Sequence, residues 1–184
     1  MVVKAVQCDN GREFDNSSAR TFFLTDGVHL CMSSPYTSSQ NGKAKRMIHT
    51  INNTARSLLF QASMPPSYWV EALHTATHVP NILPTKTLQS ATPHFALFGA
   101  APSYGHLRVF GCLCYPNLST TAEHKLAPCS AACVFLGYSA NGYRCLDIQS
   151  NRVLISRHVV FDETSFPFAS QSTPDATDFE FLLD

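Results

Sequence analysis

Carboxylates are scarce through the middle of this sequence. Between residues 16 and 122 only Asp26 and Glu71 are acidic, against seven Lys and Arg, whereas residues 162 to 184 carry six acids and no Lys or Arg. The chain therefore has a mildly basic body and an acidic tail. Net charge is also lacking: Lys+Arg and Asp+Glu balance at 13 each, so no global field draws the whole molecule toward nucleic acid. No Cys-x-x-Cys pair occurs among the seven scattered cysteines, and only Cys112 and Cys114 lie close, on one face of a strand if that segment alternates. This argues for reduced thiols serving as small apolar side chains in a nuclear or cytoplasmic setting. His74 and His78 sit four apart on a predicted helix, but with no Glu or third ligand nearby they read as ordinary helix-surface residues. No N-terminal signal segment is seen, and no apolar run reaches the roughly 20 residues a bilayer span needs, so no membrane partner is expected.

What is present suits a globular protein. A length of 184 residues and 45% hydrophobic content allow one ordinary domain or two small ones with a core. Val2 to Cys8 is a short apolar, β-branched run ending in Asp-Asn-Gly, which predicts a buried strand with Asp9 at its carboxyl end. Asn16 to Asp26 predicts a short amphipathic helix carrying Ala19, Phe22 and Phe23 and closed by Gly27. Val28 to Met32 reads as the next strand, and the polar stretch from Ser33 to Gly42 as a mobile loop.

From Lys43 to Ser63, Met47, Ile48, Ile51, Ala55, Leu58, Leu59 and Ala62 recur at helical spacing, predicting about six turns with one face packed on a sheet. Pro65-Pro66 end that helix, and Tyr68 to Val79 predict another, with Trp69 as a packing anchor. Residues 80 to 105 hold four prolines and read as an extended connector with a helical turn near Phe95 to Phe98. Beyond it the period becomes two. Arg108 to Tyr115, Ala132 to Tyr138, Tyr143 to Ile148 and Val153 to Phe161 predict short strands separated by turns, the pattern of a small antiparallel barrel. The Ser, Thr, Pro and acid-rich tail from Ala169 reads as disordered despite Phe179, Phe181 and Leu182.

Several motifs occur in a fixed order: Asp9-Asn10-Gly11 with Glu13-Phe14, then Ser34-Pro35-Tyr36-Thr37, Gln40-Asn41-Gly42 and Tyr68-Trp69. Further on come His106 to Cys112, Cys133 to Tyr138, Gly142 to Leu146 and Ser156 to Glu163. Over about residues 3 to 168 the chain resembles the polyproteins of copia-type long-terminal-repeat retrotransposons. The resemblance is to the C-terminal part of the integrase catalytic core and the SH3-like barrel that follows it. It implies an α+β chain: a truncated RNase H-like α/β segment over 1 to 82, a proline-rich linker over 83 to 103, the SH3-like barrel over 104 to 168 and an acidic tail over 169 to 184.

In that family an Asp and a Glu separated by thirty-five residues, with a second Asp upstream, hold the Mg2+ or Mn2+ ions that clamp an in-line phosphoryl displacement. Asp9 matches the family's second acid. After thirty-five intervening residues stands Lys45, a cation where a metal-binding anion is needed. At a few ångströms that exchange of attraction for repulsion is worth several kcal/mol. The expectation is an inactive site with no metal or other cofactor, Asp9 being the only remaining ligand candidate. Glu13 and Asp15 follow the strand end too closely to substitute. Arg12 and Ile82 also depart from the residues usual in relatives, Gly and Arg. The family's first three strands, with the first catalytic Asp, and its zinc-binding module precede the segment starting at Met1, so exposed sheet edges and self-association are expected.

The resemblance also lays Tyr36, Gln40, Asn41, Lys43, Lys45 and Arg46 against DNA, implying weak, non-specific, salt-sensitive binding. The bland alternative is a solvated helix face. Two rival functions remain open: an active integrase piece completed by a separate chain, and a stand-alone nucleic-acid- or protein-binding module built on the barrel around Tyr138, Tyr143 and Phe161.

Overall fold

Asn16 sets where the first helix starts. Its side-chain oxygen accepts the Ala19 N–H at 2.8 Å, satisfying a donor that a helix N-terminus otherwise leaves orphaned. That helix, α1 (Ser17–Thr25), joins strand β1 (Ala5–Cys8) to strand β2 (His29–Met32). The two strands pair in parallel from Ala5 opposite His29 to Cys8 opposite Met32, and a parallel pair needs such a crossover. The computed structural model describes residues 3 to 34, 38 to 118 and 129 to 170, and the chain divides into two compact units, residues 1 to 50 and 51 to 184.

In the first unit the expected buried strand is corrected. Only Cys8 of β1 is buried, while Ala5 and Gln7 are exposed, because the sheet has two strands and α1 buries no residue. Phe22 and Leu24 are 62% and 77% exposed. The predicted loop from Ser33 to Gly42 has its last part organised as a 3-10 turn, Ser38–Asn41, and positions 35 to 37 lie outside the described residues. Helix α2 (Gly42–Gln61) follows directly.

The expected packed face of α2 holds only for its later turns. Met47 and Ile48 are half exposed, whereas Ala55 and Leu59 are buried. The helix ends with Ser63 in the left-handed region at φ 51° and Met64 N–H reaching back to the Leu59 carbonyl at 3.0 Å, a wrap that satisfies a terminal carbonyl. A 3-10 turn (Pro66–Tyr68) leads into α3 (Trp69–Ile82). This helix was expected to stop at Val79. It runs through Pro80 because only two residues follow, so a single backbone hydrogen bond is forfeited. Trp69 is 40% exposed and lies outside the core, so it is not the packing anchor the sequence suggested. The proline-rich connector carries the anticipated short helix, α4 (Pro93–Phe98).

Five antiparallel strands complete the second unit: β3 (Leu113–Pro116), β4 (Cys133–Ser139), β5 (Gly142–Asp147), β6 (Val153–Ser156) and β7 (Val159–Asp162). Their order is β6-β5-β4-β3-β7. The run read as one strand from Val153 to Phe161 is thus two strands at opposite ends of the order, broken at Arg157-His158. Laid flat, the outer strands of such a sheet would be about 19 Å apart. Three residue steps from Ser156 to Val159 reach only about 11 Å, so the sheet must curl toward closure.

Curling gives β4 two buried faces. Cys133 and Phe135 point to one core, with Cys112, Cys114 and Cys145; Val134 and Leu136 point to another, with Ala55, Leu59, Ala72 and Ala76 of α2 and α3. The predicted one-face placement of Cys112 and Cys114 is what the structure shows: both are fully buried in the first of these cores. A bulge between Phe135 and Gly137 resets the alternation, so that Tyr138 also contacts the first core. Gly137 sits there at φ 132°, and a Cβ on it would lie 2.6 Å from Thr75 Oγ1 of α3. Gly111 plays the same part just past the end of α2, where a Cβ would meet Ala62 Cβ at 2.2 Å. Among the described residues, no helix is long and apolar enough to cross a membrane.

Candidate nucleic-acid interface

β1 delivers Asp9 to its carboxyl end, and the 3-10 turn delivers the basic start of α2 beside the same strand. Gln7 Nε2 donates to the Gln40 carbonyl at 3.5 Å, and Gln40 Oε1 accepts the Ser34 N–H at 2.9 Å. Gln40 is thereby committed to holding the turn against β1 and the end of β2. Asn41 is partly buried, and Lys43, Lys45 and Arg46 are exposed in the first turns of α2. Tyr36 falls outside the described residues. The turn and helix start thus bring together five of the six side chains assigned to DNA contact.

Asp9 is exposed, and its carboxylate accepts the Gly11 N–H at 3.3 Å, an ordinary turn contact. Glu13 folds back so that its carboxylate fills the space a Gly11 Cβ would need. Asp15 pairs with Arg20 at 2.5 Å, with both side chains about half exposed. Burial, then the negative charges of Asp9 and Asp15, push the Cys8 thiol up. Acids therefore gather beyond β1, and the helix beside it opens on cations.

Ion pairs among the described residues are Arg20–Asp15, Arg108–Glu163 and Arg144–Glu71. Neither Asp9, Lys43, Lys45 nor Arg46 takes part. No acid stands in the first turn of α2, where the helix dipole would favour one. The positive end of the dipole and three side chains that pair with no acid among the described residues instead add to one positive field, which suits a phosphate backbone. The same field is unfavourable to a divalent cation. Among the described residues, no three His, Cys, Asp or Glu side chains are grouped so as to hold a metal ion.

The aromatic trio on the barrel is placed differently from a solvent-facing patch. Tyr138, Tyr143 and Phe161 surround Phe135 with ring centroids 5.3 to 5.9 Å from it, and each is half-buried. The Tyr138 hydroxyl accepts the Arg108 N–H at 2.9 Å, and the Tyr143 hydroxyl donates to the His106 carbonyl at 3.3 Å. Sequence reasoning missed the groove beside them, in which Arg108 and Arg157 stand near Phe161 and Tyr143. Reading Arg157-His158 as mid-strand hid the break between β6 and β7, at which both residues line the groove.

Residues 112 to 174 match the family described as the retroviral polymerase SH3-like domain. Over 164 residues, 88% of the chain, the sequence is 44% and 42% identical to retrovirus-related Pol polyproteins from transposons RE1 and RE2 of Arabidopsis thaliana. It is 34% identical over the same length to the retrovirus-related Pol polyprotein from transposon TNT 1-94 of Nicotiana tabacum. The chain spans only 11% to 12% of the length of these relatives. With this similarity along most of its length, the chain is homologous to a segment of the retrovirus-related Pol polyproteins of copia-like transposons.

Proposed function

We propose that this chain is an integrase-derived segment whose first unit contacts DNA but does not carry out metal-dependent phosphoryl transfer. In this reading β1, α1, β2 and α2 are the later part of an RNase H-like core, and Asp9 is the remnant of its acidic set. The parallel strand pair with its helical crossover, and an acid at the strand end, support that assignment. The observation that carries the reading is Lys45: it is exposed in the first turn of α2, takes part in no ion pair among the described residues, and is separated from Asp9 by thirty-five intervening residues.

The Mg2+ or Mn2+ ions of active relatives do not fit these residues. Asp9 and Lys45 together carry no net negative charge, where such ions take several oxygen ligands. Lys43, Lys45 and Arg46 instead suit phosphates, with Gln40 and Asn41 as polar neighbours. Among the described residues β1 and β2 pair only with each other, and their outer edges and the exposed Phe22 and Leu24 support self-association as a second property.

The test is fluorescence anisotropy with a short duplex across a salt series, in EDTA. Three neutralised phosphates give a slope of log K on log salt of about −2.7. Replacing Lys43, Lys45 and Arg46 with Ala should flatten that slope by nearly the whole amount, and an unchanged slope would refute the assignment.

A further inference from the structure

Among the described residues, β7 has a ladder partner on one side only. β6 and β7 stand at the two ends of the strand order and do not pair with each other, which leaves β3 as the sole neighbour of β7. The Asn117 N–H donates to the His158 carbonyl at 2.8 Å and so fixes the phase of that ladder. In an antiparallel pair the peptide groups of alternate residues face the partner strand. Those of His158, Val160 and Asp162 therefore face β3, and those of Val159 and Phe161 face outward. An edge of this kind is a template for a further strand.

A groove of about 650 Å3 is lined by Val159, Val160 and Phe161 along this edge. Its two sides differ, because successive strand residues point to opposite faces. Val159 and Phe161 pack against the buried cysteine core, and on their side stand Arg108, 5.1 Å from the centroid of the Phe161 ring, and Tyr143, 5.0 Å from it. Val160 points the other way, 70% exposed, opposite Tyr115 in the β3 ladder. Arg157 and His158 complete the lining at the break before β7, and no Asp or Glu is among the described lining residues. Glu163 lies 3.8 Å from Arg108. Arg157, whose Nε donates to the Asn141 carbonyl at 3.4 Å, takes part in no ion pair among the described residues.

These features fit an extended peptide that alternates carboxylate and apolar side chains. Its N–H and C=O groups complement the outward peptide groups of Val159 and Phe161, its carboxylates meet Arg157 and Arg108, and its apolar side chains cover Val160 and Tyr115. A phosphate backbone offers acceptors alone and would leave the outward carbonyls without a donor. We propose that β7 takes up an acidic, extended segment of a partner protein as a sixth strand, with Arg157 as the principal charge contact. Backbone pairing supplies the affinity of such an addition, and the two unlike sides of the groove select the side chains.

The test is fluorescence anisotropy of the full chain with a fluorescein-labelled peptide, Glu-Val-Glu-Tyr-Glu-Val-Glu, at low salt. Saturable binding is expected, and the same peptide with Lys in place of every Glu should not bind. Arg157→Glu, a change at an exposed position, should weaken binding about ten-fold or more. Two further probes carry N-methyl groups on alternate peptide nitrogens, one on the Glu residues and the other on Val and Tyr. Only one edge of an added strand faces β7, so one of these should lose binding and the other keep it. No saturable binding, equal behaviour of the two methylated peptides, or indifference to Arg157→Glu would overturn the proposal. So would amide exchange at Val159 and Phe161 that slows with rising chain concentration in the absence of peptide, which would assign the edge to a second copy. Saturable binding of an oligothymidine, lost with Arg157→Glu in a chain that binds no peptide, would assign the groove to nucleic acid instead.

Discussion

Arg144 of β5 grips Glu71 of α3 at two points, Nη2 to Oε1 at 2.7 Å and Nε to Oε2 at 3.1 Å. The fork-to-carboxylate geometry fixes the helix's orientation on the sheet, and the Glu71 side chain is only 16% exposed. Glu71→Gln leaves the guanidinium partly buried with a weaker partner and should cost about 1 to 2 kcal/mol, reduced from the fully buried case because Arg144 is one-third exposed. Replacing both residues with Met should cost less than the single change. Urea denaturation of the three variants measures this, and equal losses for single and double variants would contradict it.

Gly137 answers for the close approach of the same helix. Gly137→Ala must adopt φ 132° and clear Thr75 Oγ1, so a loss of about 2 to 4 kcal/mol is expected from strain and overlap together. Thr75→Ala in the same chain should recover the overlap and leave the backbone strain. Full recovery would show that conformation at 137 is not limiting.

Much of this architecture was legible in the sequence, and the misses have physical causes. Asn16 before an apolar helix, Pro65-Pro66 after one, and the period-two runs near Cys114, Phe135 and Cys145 each announced the element found there. Burial was harder to read. Val2 to Cys8 has the composition of a buried strand, yet composition cannot say how many neighbours a strand receives. Trp69 drew attention through rarity, while the core was built by Leu59, Met64, Phe135 and Leu136. Around the candidate site, Asp9 and Lys45 were singled out through the family resemblance, but the tie from Gln7 to the Gln40 carbonyl required coordinates. The groove residue Arg157 had no local signal, since its role arises from β6 and β7 lying at opposite ends of the sheet order.

Thiol reactivity separates the cysteines cleanly. Cys31 and Cys129 are exposed, whereas Cys112, Cys114, Cys133 and Cys145 are fully buried. Burial pushes the Cys112 and Cys133 thiols up to about 12, so few thiolates form at pH 8. A disulfide reagent should react promptly with two thiols of the native chain and with all seven only after unfolding. Prompt reaction of Cys112 or Cys133 would contradict the closed barrel core.

His78 confers a pH dependence. Its ring lies 4.9 Å from Tyr138 and 5.8 Å from His106, and burial, followed by the charges of His106 and His94, holds its pKa below the usual 6.5. A depressed folded-state value means the unfolded chain takes up the proton first. Stability is therefore complete above pH 6.5 and lost as pH falls below it. The urea midpoint should drop between pH 7.5 and 5.5, and His78→Gln should shrink that drop; an unchanged drop would place its origin elsewhere.

Binding without chemistry is the central claim for the first unit, and a gel assay tests it most directly. The full chain is incubated with a labelled duplex and Mn2+, and both retention and new phosphodiester products are scored. The account expects salt-sensitive retention and no cleaved or joined strands. A cleaved or joined product that forms with Lys45 in place and disappears in Asp9→Asn would contradict it.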